Sequence, residues 1–115
     1  MNKKKIKLVW IGSGFVSQVA HLSNFYSLPN VEIVAIAELR KDIAMKSCQR
    51  FNIKKYYSDY KEMLKKEIYD GVVLIVRRYQ TAPIAYYILN SIFYLSNIHN
   101  GIAMASMFRI FMVCT

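Results

Sequence analysis

A short apolar run, Ile6-Lys7-Leu8-Val9-Trp10-Ile11, stops abruptly on Gly12-Ser13-Gly14, and apolar residues then return at helical spacing. A run that is apolar at nearly every position reads as a strand buried on both faces, which is what a parallel sheet demands. Phe15, Val16, Val19, Leu22, Phe25 and Tyr26 recur three and four apart, and Pro29-Asn30 ends that helix. Val31 to Ala37 is a second apolar run, rich in Val and Ile, closed by Glu38. Strand, glycine turn, helix and strand in this order leave a right-handed parallel crossover as the simplest topology.

The alternation continues. Ile43, Ala44, Cys48 and Phe51 mark the inner face of a second helix, and residues 54–57 a short third strand. Asp59 with Glu62 three residues on forms a capping-box pattern, opening a helix with Tyr60, Met63 and Leu64 inward. Residues 71–76 make a fourth strand. A loop through Arg77 and Thr81 follows, with Pro83 in the first turn of a last helix that carries Ile84, Ala85, Ile88 and Leu89. Such alternation predicts an α/β fold: a Rossmann-like parallel sheet with helices on both faces. Residues 93–95 offer a fifth strand, and residues 98–115 show no clean period of 2 or 3.6, so the sheet is expected to be incomplete at its C-terminal edge. The expected division is a nucleotide-binding unit over residues 1–91 and a divergent apolar tail over 92–115.

The 115 residues suffice for one domain with a core, and 55% of them are hydrophobic, which excludes a disordered chain. The formal net charge is +9, and no acidic residue follows Asp70. A basic surface suits phosphate-bearing partners, or is simply a solvated face. Cys48 and Cys114 have no metal-ligand spacing and suggest no disulfide framework, so a reducing, cytoplasmic setting is expected. Lys3 to Lys5 precede an apolar stretch as in a signal peptide, but Lys7 and the glycine turn interrupt it. The apolar stretch from Ile84 onward is broken by Asn90, Asn97, His99, Asn100 and Arg109, short of the roughly 20 residues of a membrane helix.

Each part of the glycine turn has a physical use toward a dinucleotide. Gly12 allows the tight exit from the strand, and Gly14 lets the backbone approach a diphosphate closely. Ser13 lies between them, and the amides around Phe15 and Val16 point at the phosphates from a helix N-terminus. The third glycine of the G-x-G-x-x-G pattern is Ser17 here. Glu38, at the end of the second strand, is placed to accept the adenosine ribose hydroxyls. It would repel a 2′-phosphate, favouring NAD over NADP, while Arg40 offsets that repulsion. Arg77 stands at the carboxyl end of the fourth strand, where open α/β sheets bind ligands. His21 reads as a packing or surface residue. His99 has no identifiable partner. The tyrosines Tyr56, Tyr57, Tyr60, Tyr86 and Tyr87 fall at core-compatible positions rather than on a base-stacking platform. No metal set and no catalytic residue emerges.

Taken together, the segments Lys7 to Gly14, Val34 to Glu38, Tyr57-Ser58-Asp59-Tyr60, Asp70 to Ile75 and Thr81-Ala82-Pro83-Ile84-Ala85 resemble the N-terminal half of the Gfo/Idh/MocA family of NAD(P)-dependent oxidoreductases. The resemblance covers about the first ninety residues. It implies a nicotinamide dinucleotide cofactor and hydride transfer at a sugar, inositol or similar hydroxyl. It also implies a second, substrate-binding domain and a Glu-Lys-Pro motif whose lysine assists proton transfer. After Asn90-Ser91 the chain departs from that pattern. Met104-Ala105-Ser106 echoes only the end of the motif, with Ile102 where the lysine belongs, and an isoleucine transfers no proton. The departure leads us to expect a reading-frame change or truncation near Ser91. The expectation is therefore a cofactor-binding unit inactive alone, with a small-molecule substrate only in longer relatives, no nucleic-acid or membrane partner, and self-association through the apolar tail. Two rivals stand beside it: a non-enzymatic NAD-binding sensor or partner subunit, and a basic nucleic-acid or membrane-surface protein.

Overall fold

The structure is a computed structural model that describes residues 5–14, 17–98 and 109–112. Five parallel strands form one sheet: β1 (Ile6–Ile11), β2 (Val31–Ala37), β3 (Tyr56–Tyr57), β4 (Gly71–Leu74) and β5 (Arg109–Met112), in the spatial order β3-β2-β1-β4-β5. The chain steps outward from β1 through β2 to β3, then crosses back to lay β4 on the other side of β1. That reversal between β1 and β4 is the switch point of a doubly wound sheet. β1 pairs with both neighbours, Leu8 opposite Ile33 and Gly71, and Ile11 opposite Ala37 and Leu74. Asp70 fixes the register where β4 begins. Its Oδ2 accepts the Lys7 amide at 2.8 Å, and its own amide donates to the Lys7 carbonyl at 2.7 Å.

Strand alternation splits the core in two. Val9, Ile11, Val72 and Leu74 face one side, where Met63 and Leu64 of α3 (Tyr60–Lys66) and Ala85 and Ile88 of α4 (Arg78–Ile98) pack on them. Leu8, Trp10, Ile36 and Val73 face the other side, against Leu22 and against Phe51 of α2 (Lys41–Phe51). A bulge in β2 serves both layers. Pairing passes from Leu8–Ile33 to Val9–Ala35, so Val34 is the extra residue, and Val34 and Ala35 both turn to the α3–α4 side. The predicted two-faced parallel sheet is thus observed, with no break in the hydrophobic logic.

Local details differ from the sequence expectations. The first helix opens as a π-helical segment, Ser17–Leu22, that runs into the single α-turn α1 (Ser23–Tyr26). The third strand shrinks to Tyr56–Tyr57, and β4 ends at Leu74 rather than residue 76. Residues 93–95 are not a strand. They continue α4, because nothing between Pro83 and Ile98 breaks a helix, and their aromatic, strand-like composition yields to that continuity. Pro83 lies inside α4 rather than in its first turn. The helix begins at Arg78, the Gln80 amide already donating to the Arg77 carbonyl at 2.9 Å, and Pro83 forgoes one bond of the ladder. The fifth strand is Arg109–Met112, which pairs with β4 from Gly71–Arg109 to Leu74–Met112. Asp59 caps α3 as predicted, accepting from the Lys61 amide at 3.0 Å, whereas Glu62 takes up Lys66 at 2.7 Å.

Of the five tyrosines assigned to packing, Tyr57, Tyr60 and Tyr87 do pack on the core, and Tyr60 meets Tyr87 edge-on with centroids 5.6 Å apart. Tyr57 also ties β3 to the end of α3 by donating its hydroxyl to Glu67. That bond, with burial second, pushes the phenol up to about 12. Tyr86 is instead 71% exposed, and Tyr56 is also exposed. Docking of α4 rests on Ile88, which is 1% exposed. Ile88→Ala is expected to lower stability by about 2–5 kcal/mol, measured as a reduced midpoint of chemical denaturation.

Candidate functional site

A cleft of about 610 Å³ opens at the carboxyl ends of β1, β2 and β4, lined among others by Gly12, Gly14, Glu38, Arg40, Arg77 and Tyr79. Its place at the switch point and its size are those of a cofactor or small-molecule site. The floor is the turn leaving β1. Gly12 donates its amide to the Ala37 carbonyl at 2.9 Å, and Ile75 donates to the Ile11 carbonyl at 2.9 Å, so the turn is sewn to both neighbouring strands.

The two glycines of the turn differ in what requires them. Gly12 has φ +93°, and a Cβ there would stand 2.1 Å from the Ile75 carbonyl oxygen and 3.0 Å from Val76 Cγ1. The fold itself demands a glycine at this position. Gly14 has no such need. Among the described residues a Cβ at Gly14 meets only Arg40 Nη2, at 3.7 Å, which is ordinary contact. The missing side chain at residue 14 leaves room on the cleft side rather than inside the protein.

Ser17, the departure from the third glycine, is fully buried and its hydroxyl is used twice. It accepts the Trp10 indole N–H at 2.8 Å and donates to the Gly12 carbonyl at 2.8 Å. A serine fits where a glycine was expected because its oxygen links the Trp10 indole N–H to the turn's carbonyl. Gln18 holds the turn from the other side, its Nε2 donating to the Ser13 carbonyl at 2.8 Å and its amide to the Gly14 carbonyl at 3.0 Å.

Glu38 follows β2 and bends back to the turn. Its Oε1 accepts the Ser13 amide at 3.1 Å, the Ser13 hydroxyl at 3.3 Å and Arg40 Nη2 at 3.0 Å. Its Oε2 accepts the Arg40 amide at 3.1 Å and Arg40 Nε at 3.2 Å. The carboxylate is 8% exposed, while the Arg40 side chain is 55% exposed. Burial pushes the carboxyl up, but the bonds from Arg40 and Ser13 outweigh it and hold Glu38 below the ordinary glutamate range. The acceptor expected to face a ribose is therefore occupied by five protein donors.

Of the remaining residues named from sequence, Gly12, Ser13, Gly14, Glu38 and Arg40 are brought together, and Arg77 lines the same cleft across the switch point, in an exposed position. Phe15 and Val16 lie outside the described residues, as do His99, Ile102, Met104, Ala105, Ser106 and Cys114. His21 sits half-buried in the π-helical segment, away from the cleft lining. Sequence reasoning missed Ser58, Asp59 and Tyr60 after β3, and Tyr79, Gln80 and Ile84 at the start of α4. Their signal was available: each follows a strand's carboxyl end, on the same rim as the glycine turn. Among the described residues no helix is long and apolar enough to cross a membrane, and no cluster of metal-ligating side chains occurs.

No family model matches the chain, and no curated protein matches it in sequence. Solved structures do match in fold. The apo scyllo-inositol dehydrogenase of Lactobacillus casei gives a TM-score of 0.74 at 14% identity, over 97% of this chain and 37% of that one. The GenD2 protein of gentamicin A biosynthesis, in complex with NAD, gives 0.69 at 18% identity, over 76% of this chain and 25% of the other. A 3-ketoreductase from Actinomadura kijaniata, in complex with TDP-benzene and NADP, gives 0.59 at 24% identity, over 64% and 23%. The chain thus spans well under half the length of each structure. What these likenesses show is the Rossmann-like fold of dehydrogenases.

Two measurements check the site's construction. Gly12→Ala is expected to cost roughly 2–5 kcal/mol from left-handed strain and overlap with Ile75, whereas Gly14→Ala leaves stability within about 1 kcal/mol; paired denaturation curves separate them. Glu38 binds its proton less readily folded than unfolded, so its contribution to stability is present above the unfolded carboxyl range and fades as pH falls through its lowered folded value. Thermal midpoints of Glu38→Gln across acid pH are expected to fall less steeply than those of the native chain.

Proposed function

We propose that this chain is the nicotinamide-dinucleotide-binding unit of an oxidoreductase of the Gfo/Idh/MocA type. The observation that carries the reading is Gly14: a glycine that the protein's own packing does not require, facing a cleft at the switch point beside a buried carboxylate. The fold likeness to dehydrogenases, two of them holding NAD or NADP, supports it. The residues fit a dinucleotide. Gly14 leaves space for a diphosphate against the turn, and Arg40, held by Glu38, places a cation beside that space. Bound there, the dinucleotide would supply or accept a hydride. The chain's own part is to hold the cofactor at the β1 turn and to shape the rim with Arg77, Tyr79 and Gln80.

The resemblance to sugar and inositol oxidoreductases makes a hydroxyl-bearing carbon the proposed hydride partner in the complete enzyme. The substrate would be met by a second domain, and a lysine of Glu-Lys-Pro type would move the proton. On this reading the present chain binds cofactor without turnover and works in the cytoplasm. The free thiol of Cys48 is consistent with a reducing compartment.

Titration of the folded protein with NADH tests the reading. Trp10, the single tryptophan, is bonded to Ser17 next to the turn. Saturable quenching of its emission, with matching enhancement of NADH fluorescence, is the expected result. Gly14→Asp, which puts a carboxylate against the diphosphate, should abolish both signals while thermal unfolding stays cooperative. A folded native chain with no saturable signal at millimolar NADH would remove the cofactor assignment.

A further inference from the structure

A planar trans peptide points its carbonyl and its N–H in opposite directions, so whatever holds one end aims the other. Two successive peptides of the turn after β1 are held in this way. The Gly12 carbonyl accepts the Ser17 hydroxyl at 2.8 Å, and at the other end of that peptide the Ser13 amide reaches Glu38 Oε1 at 3.1 Å. In the next peptide the Ser13 carbonyl accepts Gln18 Nε2 at 2.8 Å. Its other end is the Gly14 amide, which therefore points away from Gln18. No described residue accepts from that amide. Gly14 is part of the cleft wall and Gln18 is not, so the direction away from Gln18 is the direction of the cleft.

We propose that Gln18 is a positioning residue: by holding the Ser13 carbonyl it presents the Gly14 amide to an anionic oxygen of a bound diphosphate. The inference deepens the dinucleotide reading above and rests on it. With no Cβ at residue 14, a peptide left unheld there turns easily. A half-turn would exchange its two ends and put the Ser13 carbonyl oxygen where the amide proton stood. The same point would then repel a phosphate instead of donating to it. Ser17 does the corresponding work one peptide earlier, but the amide it aims is already taken by Glu38. That leaves Gly14 as the donor for a ligand.

The geometry argues against a merely structural role for the Gln18 side chain. The ties from the turn to the core run through Gly12, bonded to Ala37, and through Ser17, bonded to Trp10. The Gln18 backbone amide donates separately to the Gly14 carbonyl at 3.0 Å. Removing the side-chain amide leaves all of these bonds in place and frees one peptide.

Magnetic resonance titration of the folded chain with ADP-ribose and with adenosine tests the role, comparing the native protein with Gln18→Met and Gln18→Leu. Both substitutions remove the side-chain donor, add no charge and suit a helix. In the native chain ADP-ribose should move the Gly14 amide proton downfield while the Gln18 side-chain protons hold still. Both variants should bind ADP-ribose about 5- to 20-fold more weakly, the size of one hydrogen bond to a charged group. Adenosine, which carries no phosphate, should bind within about twofold of native. Equal weakening of both ligands, or of neither, would overturn the positioning role and leave the dinucleotide reading intact. So would a downfield shift of the Gln18 side-chain protons with ligand, which makes Gln18 itself the phosphate contact. Absence of ADP-ribose binding by the native chain would overturn the two together. Thermal midpoints exclude misfolding, and the leucine variant serves if the methionine variant fails to fold.

Discussion

Gly12 has no side chain, and the carbonyl oxygen of Ile75 fills the space one would take. This contact joins the end of β1 to the chain just past β4, the two strands between which the winding reverses. The cleft exists because those ends sit close at the backbone level and then part, one toward the π-helical segment and the other toward α4. A Cβ at residue 12 would wedge them apart, and the amide bond from Gly12 to Ala37 would be pulled with it. Core packing on both faces depends on the same register, since a slip at the turn would exchange Val9 and Ile11 for Leu8 and Trp10.

From that fixed point the polar groups are arranged in sequence. The Trp10 indole reaches Ser17, Ser17 reaches the Gly12 carbonyl, and Ser13 reaches Glu38. Each buried donor on this path has an acceptor, which is how a turn holding a buried serine pair and a buried carboxylate is tolerated. The result is a floor fixed by hydrogen bonds, with the exposed Arg40 side chain lying over it beside Gly14.

Most of the fold was legible because its signals are local. Two-faced apolar runs marked β1, β2 and β4, and the glycine turn with Glu38 marked the rim of the cleft. Other features were hidden for identifiable reasons. Ser17 looked like a lapse from a pattern, because a hydrogen bond to Trp10 is a tertiary fact that spacing alone does not display. Glu38 looked like a waiting acceptor, because its saturation by Ser13 and Arg40 depends on how the chain bends after β2. Residues 93–95 carried strand-like side chains, but helix continuity from α4 decided their backbone. β5 escaped notice because Arg109-Ile110-Phe111-Met112 is four residues long, and its identity comes from the open edge of β4 rather than from any period of its own.

That last strand has a consequence for how the chain is made. β4 is an apolar run, Gly71-Val72-Val73-Leu74, and every partner on its β5 side comes from residues emerging more than thirty positions later. During synthesis β1 and β4 can pair, and their helices can pack, while the far edge of β4 still presents bare amides and carbonyls. Such an edge, carrying no charged side chain, is a template for strands of other chains. Until residues 109–112 arrive, the nascent protein is a sheet with an unprotected flank, and it is the final strand that closes it.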